Sequence, residues 1–219
     1  MGASHAFDCA IAFNDIETDS PSRTHVRQRL VFPKMKFTFL GTRGEIETRT
    51  RRHRMHTSLL VSYRGANVMI DCGLDWLGKL ERLRPSAIVL THAHPDHAWA
   101  LRNGAPCPVY APQKTWRTLK NCRVKDRHLI KERTPTKICG ITFEAFTVEH
   151  SILAPAVGYH VSAGGARIFY APDLVFIHER AAALQGVQIY IGDGATVTPA
   201  RSFGDGAKHS SVMHLFARN

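Results

Sequence analysis

The chain carries one cluster of residues suited to metal chemistry, the run Thr-His-Ala-His-Pro-Asp-His at residues 91–97. Three imidazoles and one carboxylate fall within six residues, directly after an apolar segment that predicts a buried strand. His92 and His94 alternate onto one side of the loop, and Asp96 and His97 lie one turn into the following helix. Imidazole suits zinc, and a carboxylate suits an ion that keeps an open coordination position. The alternative, a solvated histidine-rich loop, is disfavoured because chance seldom produces this order after a buried strand.

The apolar patterns around this cluster predict the elements that position it. Alternating or continuous apolar segments predict strands over residues 35–40, 57–63, 67–71, 87–91, 107–110, 141–148, 157–162, 166–170 and 187–191. Helical patterns cover residues 74–83, a segment from about 96, 112–121 and 177–184. Most of the strands are joined as hairpins, which indicates a layered α/β domain.

The pattern His-x-His-x-Asp-His after a strand resembles the signature of the metallo-β-lactamase-fold hydrolases. Asp71, His150 and Asp173 each end a predicted strand, and they match that family's further strand-end residues in order and context. The run Phe-Leu-Gly-Thr-Arg-Gly at residues 39–44 is similar to the first strand and turn of the phosphodiesterase-type branch, which includes ribonuclease Z. The resemblance covers about residues 35 to 216 and implies a four-layer αββα sandwich.

The resemblance also implies two metal sites that share one carboxylate. Their ligands would be His92, His94 and His150 for the first ion, and Asp96, His97 and a bridging Asp173 for the second. The metal would be Zn²⁺, two ions per chain when the site is complete, with Mn²⁺ or Fe²⁺ as alternatives. Asp71 would brace the metal-binding loop from behind, or alternatively would cap the turn before Gly73.

One further ligand of the second ion stays open. His209 and His214 follow Asp173 at a suitable distance, and the run His-Ser-Ser at 209–211 predicts a helix start. In the ribonuclease Z-like branch such a histidine resembles a proton donor, and the last ligand follows after one more strand. Because the chain ends at Asn219, we expect either that His209 is the last ligand of a shortened domain, or that the domain is truncated and the second ion lacks a ligand. Of the two, we favour truncation.

A hydroxide formed between two metal ions would attack the electrophilic centre of the substrate. Asp96 or Asp173 would orient this nucleophile, and His209, where it is not a ligand, would protonate the leaving group. Such sites serve both phosphoester and acyl hydrolysis, so the metal ligands alone do not select the substrate.

The charge of the chain favours anionic substrates. Lys and Arg total 29 against 18 Asp and Glu, a formal net charge of +11 with neutral His. Four arginines after the first strand are candidate phosphate-binding residues at the rim of the cleft: Arg43, Arg51, Arg52 and Arg54. A solvated basic loop is the equal alternative for them. A second basic run, between Lys114 and Arg133, is interpreted as a solvated face.

These observations predict a binuclear zinc hydrolase of phosphodiester or phosphate ester bonds, acting on a small-molecule or nucleotide phosphoester. Nucleic acid is a further candidate partner, and a homodimer is compatible with the sequence. One alternative is a lactone or thioester hydrolase of the same fold. The other is a catalytically impaired protein that binds metal or nucleic acid through an incomplete second site.

The remaining features of the sequence predict the cellular location and the domain boundaries. The sequence contains no run of about 18 apolar residues, so it predicts no membrane-spanning helix. The first 30 residues do not resemble a signal peptide. Five scattered cysteines without a CxxC pair favour a reducing cytoplasm. Residues 1–34 are predicted to be a loosely attached extension, with an edge element packed on the domain as the alternative, and residues 35–219 the hydrolase domain.

Overall fold

The computed structural model describes residues 31–32, 35–45, 49–51, 53–150, 155–193 and 213–217. The predicted extension lies outside these residues except for Val31–Phe32, which forms strand β1 and pairs antiparallel with the strand that starts at Met35. This pair is therefore an edge element of the domain.

The first sheet contains β1 and six further strands, and it changes from antiparallel to parallel half-way across. The strands are β2 (Met35–Gly41), β3 (Ser58–Tyr63), β4 (Ala66–Ile70), β5 (Ala87–Val89), β6 (Val109–Ala111) and β7 (Arg127–Leu129), in spatial order β1 to β7. Strands β1 to β4 are antiparallel, and β4 to β7 are parallel. Three α-helices lie on its connections in the described part of the chain: α1 (Leu80–Leu83), α2 (Pro95–Ala98) and α3 (Gln113–Thr118). Two 3₁₀ helices, Leu74–Trp76 and Trp99–Asn103, lie on the same connections.

The second sheet is built from the rest of the described chain. Its strands are β8 (Thr136–Ile138), β9 (Ile141–Glu149), β10 (Ala156–Ala163), β11 (Ala166–Ala171), β12 (Phe176–Ile177), β13 (Ile189–Asp193) and β14 (Met213–Ala217). The spatial order is β12-β9-β10-β11-β13-β14, and β8 pairs with β9. Helix α4 (Arg180–Leu184) precedes β13.

The buried residues define the layers. One apolar cluster joins the two sheets, with Val61 and Val89 from the first and Phe143 and Tyr159 from the second. A second cluster lies between the first sheet and its helices, and a third lies between the second sheet and α4. This is the arrangement of helix, sheet, sheet and helix that was expected, so the predicted α/β sandwich is confirmed.

Two hydrogen bonds tie the sheets together where β5 ends. The hydroxyl of Tyr159, on β10, donates to the carbonyl of Leu90 at 2.7 Å, and both groups are buried. The amide of Val157, also on β10, donates to the carbonyl of Thr91 at 3.1 Å. The segment that leads into His92 is therefore held by both sheets.

Several predicted helices are shorter in the structure. The helix predicted over residues 74–83 is a single turn at Leu74–Trp76 followed by α1, because Gly78 between them has a positive φ of 71°. The helix predicted from Ile177 begins at Arg180, because Ile177 instead pairs with β9 and buries its side chain.

The predicted continuation of a helix beyond His209 is also corrected. Residues 209–212 lie outside the described part of the chain, but Met213–Ala217 is strand β14, antiparallel to β13. A strand there satisfies its backbone groups on the open edge of β13, whereas a helix this short would leave most of them unpaired. None of the described helices is long and apolar enough to cross a bilayer.

The hydroxyl of Tyr159 should stabilise the domain through its bond to Leu90. Replacing Tyr159 with Phe leaves a buried carbonyl without its donor, and we expect the free energy of unfolding to fall by about 1–3 kcal/mol. Urea denaturation monitored by fluorescence measures the change.

Tyr170 provides a matched control. Its hydroxyl is buried and has no hydrogen-bond partner among the described residues, so Tyr170→Phe should not lower the free energy of unfolding. Equal losses in the two variants would contradict the role of the Tyr159 bond.

Candidate metal centre

The clustered side chains follow the ends of four strands. Strands β4 and β5 are parallel, with Ile70 opposite Val89, so Asp71 and His92 emerge at the same edge of the first sheet. On the second sheet, His150 follows β9 and Asp173 follows β11 by two residues. Because the sheets pack face to face, these four strand ends meet.

The first group of donor atoms consists of three histidines and one aspartate. Nε2 of His92 and Nε2 of His150 each lie 3.1 Å from Nδ1 of His94. Oδ2 of Asp173 lies 3.6 Å from the His92 nitrogen and 3.5 Å from that of His150. The four donor atoms lie within 4.8 Å of one another.

These separations fit one metal ion. Zinc binds imidazole nitrogen at about 2.0–2.1 Å, so the donors around a tetrahedral zinc stand roughly 3.3–3.4 Å apart. The distances of 3.1 to 3.6 Å between the donor atoms bracket that value. His94 is only half-buried, which leaves one side of the group open to solvent, whereas the side chain of His150 is 6% exposed. Such an opening is what a catalytic ion needs for substrate.

The second group consists of Asp96, His97 and the same Asp173. Nε2 of His97 lies 3.2 Å from Oδ2 of Asp96 and 3.1 Å from Oδ2 of Asp173. This nitrogen is buried and makes no hydrogen bond among the described residues, although it faces two carboxylates. A buried polar atom that lacks a hydrogen bond is costly, and a cation between the three side chains would bind the lone pair of this nitrogen once its proton had left.

The charges of the cluster favour a cation. Burial alone would lower the pKa of His97, but the carboxylates of Asp96, Asp173 and Asp71 outweigh it and raise that pKa well above its usual value. Burial likewise opposes ionisation of Asp173, yet the histidines around it hold the pKa of this carboxyl far below its usual value. The excess of carboxylate charge that retains a proton on His97 also attracts a metal ion.

Two histidines of the first group are already in the protonation state that metal binding requires. Burial, reinforced by His97, lowers the pKa of His92 well below its usual value, and burial lowers the pKa of His94. Both imidazoles are therefore neutral at pH 7. A neutral imidazole keeps a lone pair for a metal, so no proton has to be displaced from these two side chains.

Asp71 lies behind both groups of donor atoms. Its Oδ1 accepts the Thr91 amide at 2.8 Å, and its Oδ2 accepts the Thr91 hydroxyl at 2.8 Å. The same Oδ2 lies 2.9 Å from Nδ1 of His97, and the Thr91 hydroxyl lies 3.0 Å from Nδ1 of His92. A histidine bound on the side of Nδ1 presents Nε2 to a metal. One carboxylate thus orients a histidine of each group.

The backbone around Asp71 is shaped for this contact. Asp71 has a positive φ of 61°, which carries its side chain away from the course of β4. Two residues on, a side chain at Gly73 would place a Cβ 2.0 Å from the backbone oxygen of Asp96. The amide of Cys72 between them donates to the carbonyl of His97 at 2.6 Å. The turn after β4 is therefore packed against the helix that carries Asp96 and His97.

The basic loop after β2 is anchored by an aspartate. Arg43 is buried and pairs with Asp75, and Arg49 reaches the other oxygen of that carboxylate at 2.6 Å. The His56 amide also donates to Asp75 at 3.0 Å, and the Asp75 amide donates to Nδ1 of His56 at 3.1 Å. These contacts hold the loop against the turn that follows Gly73.

Arg43 consequently does not lie at the rim of the cleft, where the sequence analysis placed it. Its side chain is 5% exposed and is directed at Asp75, because the bridge between Arg43 and His56 turns it inward. Arg51 and Arg54 are exposed on the same loop, and Arg52 lies outside the described residues. The loop is close to the metal centre, since the charge of Glu45 acts on His94 and that of Asp96 acts on His56.

The candidates for the last ligand remain predictions. His209 lies outside the described residues. His214 lies on β14 at the position opposite Gly192 of β13. The structure places the other predicted ligands together: His92, His94, Asp96, His97, His150 and Asp173.

Sequence reasoning did not single out three residues that contribute to this region. Thr91 lies within the recognised motif, but nothing in the sequence indicated that its hydroxyl would connect Asp71 to His92. Asp75 was hidden because its partners are 19 to 32 residues away in sequence. Phe176 is 50% exposed beside the Asp173 turn, and pairs with Glu149 just before His150.

The sequence was compared with known families and proteins. It matches the family described as Beta-lactamase superfamily domain over residues 66–217. A ribonuclease Z from Methanococcus maripaludis is 28% identical in an alignment of 152 positions that covers 57% of this chain and 48% of that protein. The chain thus spans about half the length of the curated relatives it matches.

Solved structures share the fold. Zinc-bound PqqB from Methylobacterium extorquens superposes with a TM-score of 0.59 at 20% identity, covering 73% of this chain and 72% of that one. A diphosphatase from the PhnP family superposes with a TM-score of 0.52 at 22% identity, covering 72% and 73% of the two chains.

Asp71 should contribute to metal affinity without contacting the metal. In Asp71→Asn, an amide group replaces an oxygen that accepts hydrogen bonds from Thr91 and His97. His97 then loses part of its orientation directly, and His92 loses it through Thr91. We expect zinc affinity to fall roughly 10–100-fold, measured by competition with a chromogenic chelator. Asp126→Asn, at an exposed pair with His128, is the control, and equal affinities in both variants would refute the role of Asp71.

His56 should make stability depend on pH. Burial and the Arg43 charge lower the pKa of His56 in the folded protein, and its Nδ1 accepts a hydrogen bond only when deprotonated. The unfolded chain therefore binds more protons, and this contribution to stability is present above pH 6.5 and lost as the pH falls below it.

The variant His56→Asn keeps an acceptor in place of Nδ1 but does not titrate. We expect its free energy of unfolding to fall less between pH 7 and pH 5 than that of the wild type, by at most about 1.4 kcal/mol per pH unit. Both proteins are measured in chelator, so that metal release does not contribute. Identical pH profiles would show that His56 does not titrate in this range.

Proposed function

We propose that this chain, which belongs to the beta-lactamase superfamily as its histidine motif predicted, is a metal-dependent hydrolase of phosphoester bonds. The observation that carries the proposal is the pair of donor groups that share Asp173. Two adjacent cation sites with one common carboxylate, open to solvent beside His94, are the arrangement that two-metal hydrolysis requires.

We propose zinc as the metal, with two ions per chain. The first ion would be held by His92, His94 and His150, and the second by Asp96, His97 and the shared Asp173. Mixed nitrogen and carboxylate donors suit zinc, and a zinc-bound neighbour of the same fold supports this choice. When bound, the metals would supply Lewis acidity and a water of lowered pKa.

The protein residues have separate tasks around that centre. Asp96 and Asp173 place two carboxylate oxygens beside Nε2 of His97, where they can accept a hydrogen bond from the attacking water and orient it. The Asp71 and Thr91 pair keeps Nε2 of His92 and His97 directed at the cluster. His209 is the proposed donor of a proton to the leaving group, as predicted from the sequence.

The phosphoester assignment rests on charge. The chain has a net charge of +11, and Arg51 and Arg54 are exposed on the loop beside the metal centre. Because their guanidinium groups form no ion pair within the described ranges, they can donate bidentate hydrogen bonds to phosphate oxygens. The ribonuclease Z relative supports a phosphodiester as the scissile group. A nucleotide or nucleic acid is the substrate class that unites these features.

The domain and its setting complete the proposal. The hydrolase domain is taken to start at Met35, with Val31–Phe32 as an edge pair that joins the preceding residues to it. The four described cysteines are free thiols, which fits a protein of a reducing cytoplasm.

The function is tested by turnover of bis(p-nitrophenyl) phosphate with zinc. We expect the wild type to hydrolyse this substrate and to contain nearly two zinc ions per chain by plasma mass spectrometry. The rate should be at least about a hundredfold lower in His94→Ala, because loss of a direct ligand should reduce activity more than loss of a residue that only orients a ligand. His128→Ala, on β7 and 43% exposed, is the control and should keep its activity.

Each other outcome has a definite meaning. Faster hydrolysis of a lactone than of the phosphodiester would replace the phosphoester assignment with the lactone or thioester alternative. Failure to hydrolyse either substrate with any divalent metal would indicate a protein that binds metal without turnover.

A further inference from the structure

A basic pocket lies along the sheet edge that carries the metal centre. Its volume is about 290 Å³, and it is formed by the start of α3 and the end of β7. Pro112 and Leu129 contribute apolar surface, and the side chains of Lys114, Arg117 and Lys131 contribute three positive charges.

The positive charges of this pocket are not neutralised by the protein. Lys114, Arg117 and Lys131 are exposed, and none of them forms an ion pair with another described residue. Glu132 is the acidic residue of the pocket, and its carboxylate accepts a hydrogen bond from the hydroxyl of Thr147. Most of the other acids in this region are already paired, since Asp126 contacts His128 and Glu144 contacts Arg133.

The strand register determines where the pocket lies relative to the metal centre. Strands β5, β6 and β7 are parallel, with Val89 opposite Tyr110 and Ala111 opposite Leu129. Val89, Tyr110 and His128 therefore lie at the same level of the sheet, and His92 and Lys131 each follow that level by three residues. Strands β5 and β7 are two interstrand spacings apart, about 10 Å. A flexible strand of nucleic acid can cover that distance within a few nucleotides.

The chemistry of the pocket suits a nucleotide unit. Three cations around an apolar surface can bind a phosphate while a sugar or base packs against Leu129, which is 45% exposed. Lysines contact phosphate as point charges and carry no sequence information. We propose that this pocket is a second phosphate site, which binds the backbone of a single-stranded nucleic acid whose scissile phosphodiester lies at the metal centre.

This inference rests on the proposed function for the identity of the substrate, but its test does not depend on turnover. The probe is a fluorescein-labelled, phosphorothioate-linked oligouridylate, which resists hydrolysis, and its binding to the zinc-loaded protein is followed by anisotropy over a range of salt concentrations. The pocket variant is Lys114→Glu/Arg117→Glu/Lys131→Glu.

The control variant carries the same change of charge outside the pocket. Lys120→Glu/Arg123→Glu/Lys125→Glu reverses three exposed charges of the same basic run, so the two variants have equal net charge. Each phosphate contact on a single strand contributes about 0.7 to the slope of log K against log salt. We therefore expect the slope to become shallower by about 2 in the pocket variant and to change little in the control.

Three results would overturn the pocket. The first is equal binding of the probe by the two variants. The second is competition by polyglutamate that is as strong as competition by unlabelled RNA. The third is loss of bis(p-nitrophenyl) phosphate hydrolysis in the pocket variant while the control keeps it. The first would make the effect one of net charge, the second would make the pocket a general anion surface, and the third would place it at the chemistry.

Failure of the proposed function has a different signature. If the wild type does not hydrolyse the small diester, the phosphoesterase assignment fails, while the comparison of the two variants still decides the pocket. A neutral set, Lys114→Gln/Arg117→Gln/Lys131→Gln, repeats the comparison where the reversed charges unfold the protein. A DNA oligonucleotide of the same length separates recognition of the backbone from recognition of the ribose hydroxyl.

Discussion

The buried carboxylate of Asp71 is the constraint on which the metal centre depends. It is fully buried, and burial raises the pKa of this carboxyl, so the protein must supply hydrogen bonds to keep it charged. Thr91 and His97 supply them. Because Thr91 follows β5 and His97 lies on α2, satisfying one carboxylate determines how the strand, the loop and the helix pack together. The turn at Gly73 and the bonds from β10 to Leu90 and Thr91 reinforce the same arrangement.

Charge is distributed in two distinct ways around this centre. Inside the cluster, Asp96 and Asp173 carry negative charge that attracts cations, whereas the outer surface is strongly basic and attracts anions. Asp75 connects the two, since it neutralises Arg43 in the interior and holds the loop that exposes Arg51 and Arg54. The surroundings of the cluster thus carry exposed positive charge, while the carboxylates inside it are balanced in part by His97, whose pKa they raise.

The sequence predicted the parts of this site that depend on order along the chain. The motif at 91–97 and the strand-end residues Asp71, His150 and Asp173 meet because strand ends meet in a layered sandwich. Features that depend on three-dimensional distance were missed or misplaced. Arg43 turns inward to a carboxylate 32 residues away, and chain spacing does not indicate which arginine of a basic loop will do so. Strands β7 and β8 have three residues each, too few to show a period among charged neighbours.

The division of the candidate ligands between the sheets has a consequence for when the donor groups form. His92, His94, Asp96 and His97 follow strands of the first sheet and are synthesised early, whereas His150 and Asp173 come from the second sheet and are synthesised later. A nascent chain thus exposes an incomplete set of donors, and the shared carboxylate joins them only after the second sheet has docked. The two candidate donor groups are therefore complete only in the folded protein, after translation has passed Asp173.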